Sequence, residues 1–270
     1  MRGWLRALVR ALAEDDLTVY AASIAYAGVL SVFPLLVGVI ALLSLVVDQS
    51  RAQDAALRAL QPYLPHPALE AVQSAIASVV RTRSAAGSLA VVGVLWATTA
   101  AAGALRHALS KILRVGRHRV FWRRKLVEMA LVALAGTFLG LSALLPAAVA
   151  ALRSLPGLGP AAAEVGRSPA VRELATLAPW VLAAGAFFVV YRFLPPVRPR
   201  RRGLLAGTAT AAVLFELTRR AFFWYVSTLA SYPLVYGPLA GVVVFMVWAY
   251  LVALLTLVGA EVMRVAEGKA

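Results

Sequence analysis

The chain has 270 residues, 61% of them hydrophobic and only 14% charged, with a mean hydropathy of +0.81. An average soluble domain is roughly 45 to 50% apolar and 25% charged, so a soluble globule is excluded and a membrane protein expected. The 27 Lys and Arg stand against 12 Asp and Glu, and the absence of cysteine excludes disulfides, zinc thiolates and thiol catalysis.

Apolar stretches of about 18 residues or more, each enough to cross a hydrocarbon core of about 30 Å as helix, recur along the chain. Read in order, they predict an all-α, polytopic membrane protein forming a single domain over residues 1–270, with spans at 18–47, 87–109, 126–152, 176–194, 203–226 and 237–263. Lipid leaves a lone apolar segment no way to satisfy its backbone except as helix. The N-terminus carries Arg2, Arg6 and Arg10, then Glu14, Asp15 and Asp16, and offers no apolar core followed by a small-residue cleavage site, so no signal peptide is expected.

The first span is too long for a simple crossing. Its 30 residues would reach about 45 Å. Pro34 removes a backbone bond and frees the Leu30 carbonyl, which with Ser23, Tyr26 and Ser31 predicts a kinked helix with polar groups at mid-depth. Such kinks either serve packing or line a substrate path.

Residues 48–86 then predict an extracytoplasmic helical hairpin. Leu69, Val72, Ile76, Val79 and Val80 recur at helical spacing while Gln73, Ser74, Ser78 and Arg81 fall elsewhere, the pattern of an amphipathic helix. Pro62, Pro65 and Pro67 separate it from a weaker helix around Arg51 to Leu60, and the stretch from Arg153 to Arg172 reads as a shorter irregular cap.

The fifth span holds Glu216 with Arg219 at i+3 and Arg220 at i+4, flanked by Phe215, Phe222, Phe223, Trp224 and Tyr225. An acid N-terminal to a base at this spacing is the favourable orientation for a helical ion pair. A charge at mid-span costs about 2.5 to 3.5 kcal/mol on insertion scales, so these groups should face protein, water or headgroups. Three GxxxG pairs, Gly136/Gly140, Gly203/Gly207 and Gly237/Gly241, predict close helix packing within the bundle.

Counting Lys and Arg under strict alternation of six spans puts eighteen on one side and seven on the other, with Arg219 and Arg220 inside the fifth span. The excess marks the cytoplasmic side, so both termini are expected there. His66, His107 and His118 form no ligand spacing, and the chain has neither a P-loop nor a G-x-S-x-G elbow; no metal, cofactor or enzyme activity is expected. The basic segment Arg106 to Lys125, interleaved with Phe121 and Trp122, lies directly between two spans; topology and anionic headgroups explain it without nucleic acid.

Three stretches then resemble the YihY/BrkB family of bacterial inner-membrane proteins, once labelled ribonuclease BN. They are Ala21-Ala22-Ser23-Ile24-Ala25-Tyr26 leading to Phe33-Pro34-Leu35-Leu36, Tyr191-Arg192-Phe193-Leu194-Pro195, and Ser231-Tyr232 through Tyr236-Gly237 and Trp248-Ala249-Tyr250 to Gly259-Ala260-Glu261. The resemblance implies six transmembrane helices with cytoplasmic termini in the inner membrane, and a role in cell-envelope integrity or lipid movement; the absence of metal ligands argues against the nuclease label. The resulting expectation is a protein that moves or gates an amphipathic, lipid-like envelope substrate without hydrolysing ATP itself, contacting anionic lipid headgroups. The substrate-path candidates are Ser23, Tyr26, Pro34, Glu216, Arg219, Arg220, Tyr232, Tyr236 and Glu261. The alternative is a non-transporting scaffold that organises an envelope protein partner through its outer helices.

Overall fold

The computed structural model describes residues 16–43, 49–61, 64–81, 87–115, 169–197, 199–228 and 240–268. These form seven helices, with no strand among the described residues: α1 (Leu17–Leu43), α2 (Gln49–Leu60), α3 (His66–Arg81), α4 (Gly87–Ile112), α5 (Pro169–Phe193), α6 (Arg201–Thr228) and α7 (Ala240–Ala266). The expected span at 126–152 and the loop from Arg153 to residue 168 lie outside the described residues. Helix α5 begins earlier than expected, at Pro169, because proline at a first helical position gives up only an N–H that would have no intrahelical partner. Pro67 plays the same part in the first turn of α3.

Helix α7 organises the bundle. It packs against α6, α1, α3 and α4, while α1 packs chiefly on α4 and α5 packs on α6. Its last three turns are buried almost all round, from Leu255 to Val265 with only Val258 partly exposed, the pattern of a helix enclosed by other helices. Among the described residues it is the one helix long and apolar enough to cross a membrane, its most apolar window having a mean hydropathy of 2.5. Tyr20 near the start of α1 meets His107 near the end of α4, ring centroids 6.3 Å apart, so these two helices run antiparallel. Helix α1 continues through Pro34, and one turn before it the Ser31 hydroxyl donates to the Ala27 carbonyl at 2.6 Å, a back-bond that commonly bends a helix.

Helices α2 and α3 form the hairpin, and α3 buries Ala68 and Val72. It is anchored to α7 at Gly241, where a Cβ would run into the Pro67 carbonyl oxygen and come within 2.9 Å of the Ala71 Cβ. A Gly241→Val substitution is therefore expected to push α3 off the end of α7. Amide hydrogen exchange in His66–Arg81 should accelerate by about tenfold or more, given overpacking penalties of about 1 to 3 kcal/mol, while exchange in α4 stays unchanged. Equal protection of α3 in both proteins would show that the hairpin is held elsewhere.

Candidate functional site

Two charged clusters sit on the apolar helices α6 and α7, and each is built by helical spacing. In α6 the carboxylate of Glu216 is buried, its side chain 5% exposed. Arg219, one turn on, donates Nε to Oε2 at 2.8 Å and Nη2 to Oε1 at 2.6 Å, a two-point fork. Arg220 donates Nε to the same Oε1 at 2.7 Å. Residues at i+3 and i+4 flank the position of residue i on one face, which is why a single acid collects both bases. Charge-assisted bonds of this fork geometry are the strong ones, and here they offset the burial of the carboxylate.

The two arginines differ in what they leave over. Arg219 is 23% exposed and lies 5.8 Å from the centroid of Phe223. Arg220 is 67% exposed, its guanidinium 5.8 Å from the ring of Trp180 on α5. It uses only Nε on Glu216, so both terminal amino groups have no partner among the described residues. One acid and two bases leave the cluster with net positive charge. Its surroundings are apolar and aromatic: Leu217 and Trp224 are exposed beside it, and Phe222 stacks on Trp248 of α7 with centroids 5.4 Å apart.

The second cluster is Glu261 with Arg264 near the end of α7. Arg264 donates Nε to Oε2 at 2.9 Å and its Nη2 lies 2.8 Å from the same oxygen, with the Glu261 and Arg264 side chains 0% and 2% exposed. Beside it α6 and α7 approach closely at two glycines. A Cβ on Gly207 would lie 2.6 Å from the Gly259 carbonyl oxygen and 2.8 Å from the Met263 Cβ. The Tyr191 hydroxyl of α5 lies over Gly259 and donates to the Thr256 carbonyl at 2.6 Å. The Thr208 hydroxyl, next to Gly207, is buried with no hydrogen-bond partner among the described residues. Rings connect the two clusters across α5, α6 and α7, from Phe223 and Trp248 through Phe215 and Phe187 to Tyr191, with neighbouring centroids 5.8 to 6.3 Å apart.

The path candidates are thus divided. Glu216, Arg219 and Arg220 come together, and Glu261 lies toward the opposite end of the aromatic row with Arg264. Ser23 and Tyr26 are exposed on α1, Tyr26 by 62%, and α1 packs on α2, α3, α4 and α7, away from the α6 cluster. Pro34 lies within α1, while Tyr232 and Tyr236 lie outside the described residues. Of the paired glycines, Gly203 approaches Glu267 and the Met263 carbonyl, Gly207 approaches Gly259, and Gly241 approaches α3; Gly136, Gly140 and Gly237 lie outside the described residues. Sequence reasoning missed Arg264 and Trp180. The first was legible, since Glu261 and Arg264 repeat the i+3 spacing of Glu216 and Arg219; the second depends on how α5 meets α6.

A family model described as virulence factor BrkB matches residues 8–270. Similar proteins include the UPF0761 membrane protein of Pseudoalteromonas atlantica, 24% identical over 99% of this chain and 89% of its own length. Those of Halorhodospira halophila and Chromohalobacter salexigens are 25% and 30% identical over 99% and 96% of this chain, and 58% and 64% of their own lengths. The chain thus spans less than two thirds of the last two relatives. No solved structure matches significantly.

Proposed function

The chain belongs to the virulence factor BrkB family of membrane proteins, and from that membership together with the α6 cluster we propose that it moves or gates an amphipathic, lipid-like envelope substrate across the bacterial inner membrane. In this reading the chain crosses six times with both termini cytoplasmic, the arrangement favoured by the excess of Lys and Arg on one side. Arg219 and Arg220 draw the charged end of the substrate, Glu216 holds them in register, and no ATP is hydrolysed by the chain itself.

The observation that carries the reading is Arg220. Arg220 is 67% exposed and engages Glu216 through Nε alone, which leaves its two terminal amino groups for a further anionic or aqueous partner, and a charged side chain on a membrane helix marks a functional site by default. The exposed apolar side chains of α6 beside it, Leu217 and Trp224, give acyl chains a surface to lie against.

The test is transfer of a fluorescent phospholipid between leaflets of proteoliposomes. The wild-type protein should exceed protein-free vesicles, and the Arg219→Gln/Arg220→Gln variant should fall most of the way back to them while eluting as a folded, monodisperse species. Transfer no faster than in protein-free vesicles would end the transport reading in favour of a scaffold that organises an envelope partner. Undiminished transfer in the variant would remove the two arginines from the mechanism.

A further inference from the structure

The exposed face of α6 has an internal scale. Arg201 and Arg202 open the helix, and Arg220 lies nineteen residues beyond Arg201, about 28 Å along the axis at 1.5 Å per residue. That matches the hydrocarbon thickness of about 30 Å. Between them the exposed large side chains are Leu205, Val213 and Leu217, which turn toward the same side as Arg220 at the helical repeat. Trp224 and Tyr225 follow just past Arg220, both exposed, where amphipathic rings mark the headgroup level of a bilayer. Helix α6 thus carries arginines at both ends of an apolar strip about as long as a hydrocarbon core is thick.

At the Arg220 boundary the geometry is that of an anion contact. The guanidinium is held by Nε on Glu216 and stands 5.8 Å from the Trp180 ring, so its orientation is fixed from two sides. Both terminal amino groups have no partner among the described residues. Two parallel N–H donors in a rigid fork match two oxygens of a phosphate, a fit that a lysine ammonium does not reproduce. A free phosphate would satisfy the fork but would leave the strip of Leu217, Val213 and Leu205 exposed. A phospholipid satisfies both, its phosphodiester on Arg220 and an acyl chain running along the strip toward Arg201.

Resting on the proposed lipid-handling role, we propose that Arg220, oriented by Glu216 and Trp180, is the headgroup contact of a phospholipid that enters sideways from the leaflet opposite Arg201 and Arg202, with phosphatidylglycerol as the probe of that class. Lateral entry follows from exposure: among the described residues Arg220 is exposed on the same face of α6 as the apolar strip.

The experiment is native mass spectrometry of the full chain with phosphatidylglycerol, compared with a phosphate-free galactosyl diacylglycerol. The wild type should retain phosphatidylglycerol over the galactolipid, Arg220→Gln should lower that retention by about tenfold, and Arg220→Lys should recover only part of it. Trp180→Ala serves as a second variant that keeps every charge and should weaken retention by freeing the guanidinium. Equal retention by wild type and Arg220→Gln would overturn the assignment, as would competition by soluble glycerol phosphate as effective as that by the lipid. The absence of cysteine allows the leaflet to be read separately, because Ser227→Cys beside the site should react with an impermeant maleimide from the extracytoplasmic face of spheroplasts; reaction only from the cytoplasmic face would overturn the leaflet assignment. A chain that binds phosphatidylglycerol through Arg220 yet moves no lipid would end the transport reading and leave this one standing. Lipid movement that survives Arg220→Gln, with no selective retention, would do the reverse.

Discussion

Replacing Glu261 with alanine is expected to lower thermal stability more than any other single change in the described bundle. The carboxylate is fully enclosed, accepts Nε of Arg264 and pairs with its Nη2 at 2.8 Å, and Arg264 is itself 2% exposed. Removing it strips the guanidinium of that partner at a place water does not reach. Breaking one side of a buried ion pair costs about 3 to 5 kcal/mol, because the remaining charge keeps its desolvation penalty and loses the attraction of that carboxylate. For a chain of this size that corresponds to a fall in Tm of roughly 10 °C, measured by the thermal loss of the monodisperse peak in detergent. The double variant Glu261→Leu/Arg264→Met should recover most of the loss, since well-packed apolar replacements of a buried pair are commonly neutral. A single Glu261→Ala variant as stable as the wild type would mean that the pair contributes nothing to holding α7 in place.

The second large effect is expected at Gly259, where three helices meet. A Cβ there would strike the Tyr191 hydroxyl and lie 2.9 Å from the Ala211 Cβ and 3.0 Å from the Gly207 carbonyl oxygen. The tyrosine can swing aside, but the Gly207 carbonyl belongs to the backbone of α6, so the helices must separate. Gly259→Ala should cost about 1 to 3 kcal/mol as overpacking, and Gly259→Leu more. Adding Tyr191→Phe should not rescue it, since the hydroxyl is only one of the three obstructions and its bond to the Thr256 carbonyl is lost as well. The control is Gly185→Ala on α5, where nothing lies within 4 Å of an added Cβ. That change should be neutral or slightly stabilising, because alanine is the better helix former. Similar melting curves for Gly259→Ala and Gly185→Ala would show that the α6–α7 crossing is looser than its geometry implies.

The helices themselves were largely legible in the sequence. Apolar runs and the amphipathic period of residues 69–80 located α1, α3, α4, α5, α6 and α7 to within a few residues at most ends. The largest shift, the start of α5 at Pro169, came from reading a proline beside an arginine and a glutamate as loop when it opens a helix. The α6 ion triad was equally legible, because spacing within one helix determines which side chains are neighbours. The assembly of the candidate site was not. Nothing in the local pattern of Ser23 and Tyr26 says that they lie on the exposed side of α1, away from Glu216.

By itself the sequence determined that the chain is helical, that it is a membrane protein of the BrkB family, and that Glu216 has two arginines within one turn. These properties depend on composition and on intervals of three or four residues, which the helix converts directly into distances. Only the tertiary structure decided that Arg220 faces outward beside Trp180, that Gly207 meets Gly259, and that Tyr191 bonds to a carbonyl 65 residues away. Those pairings depend on which faces of separate helices are pressed together, and that choice belongs to the packing of the whole bundle: close approach is possible only where small residues coincide, and side chains elsewhere are turned outward by the contacts their helix makes.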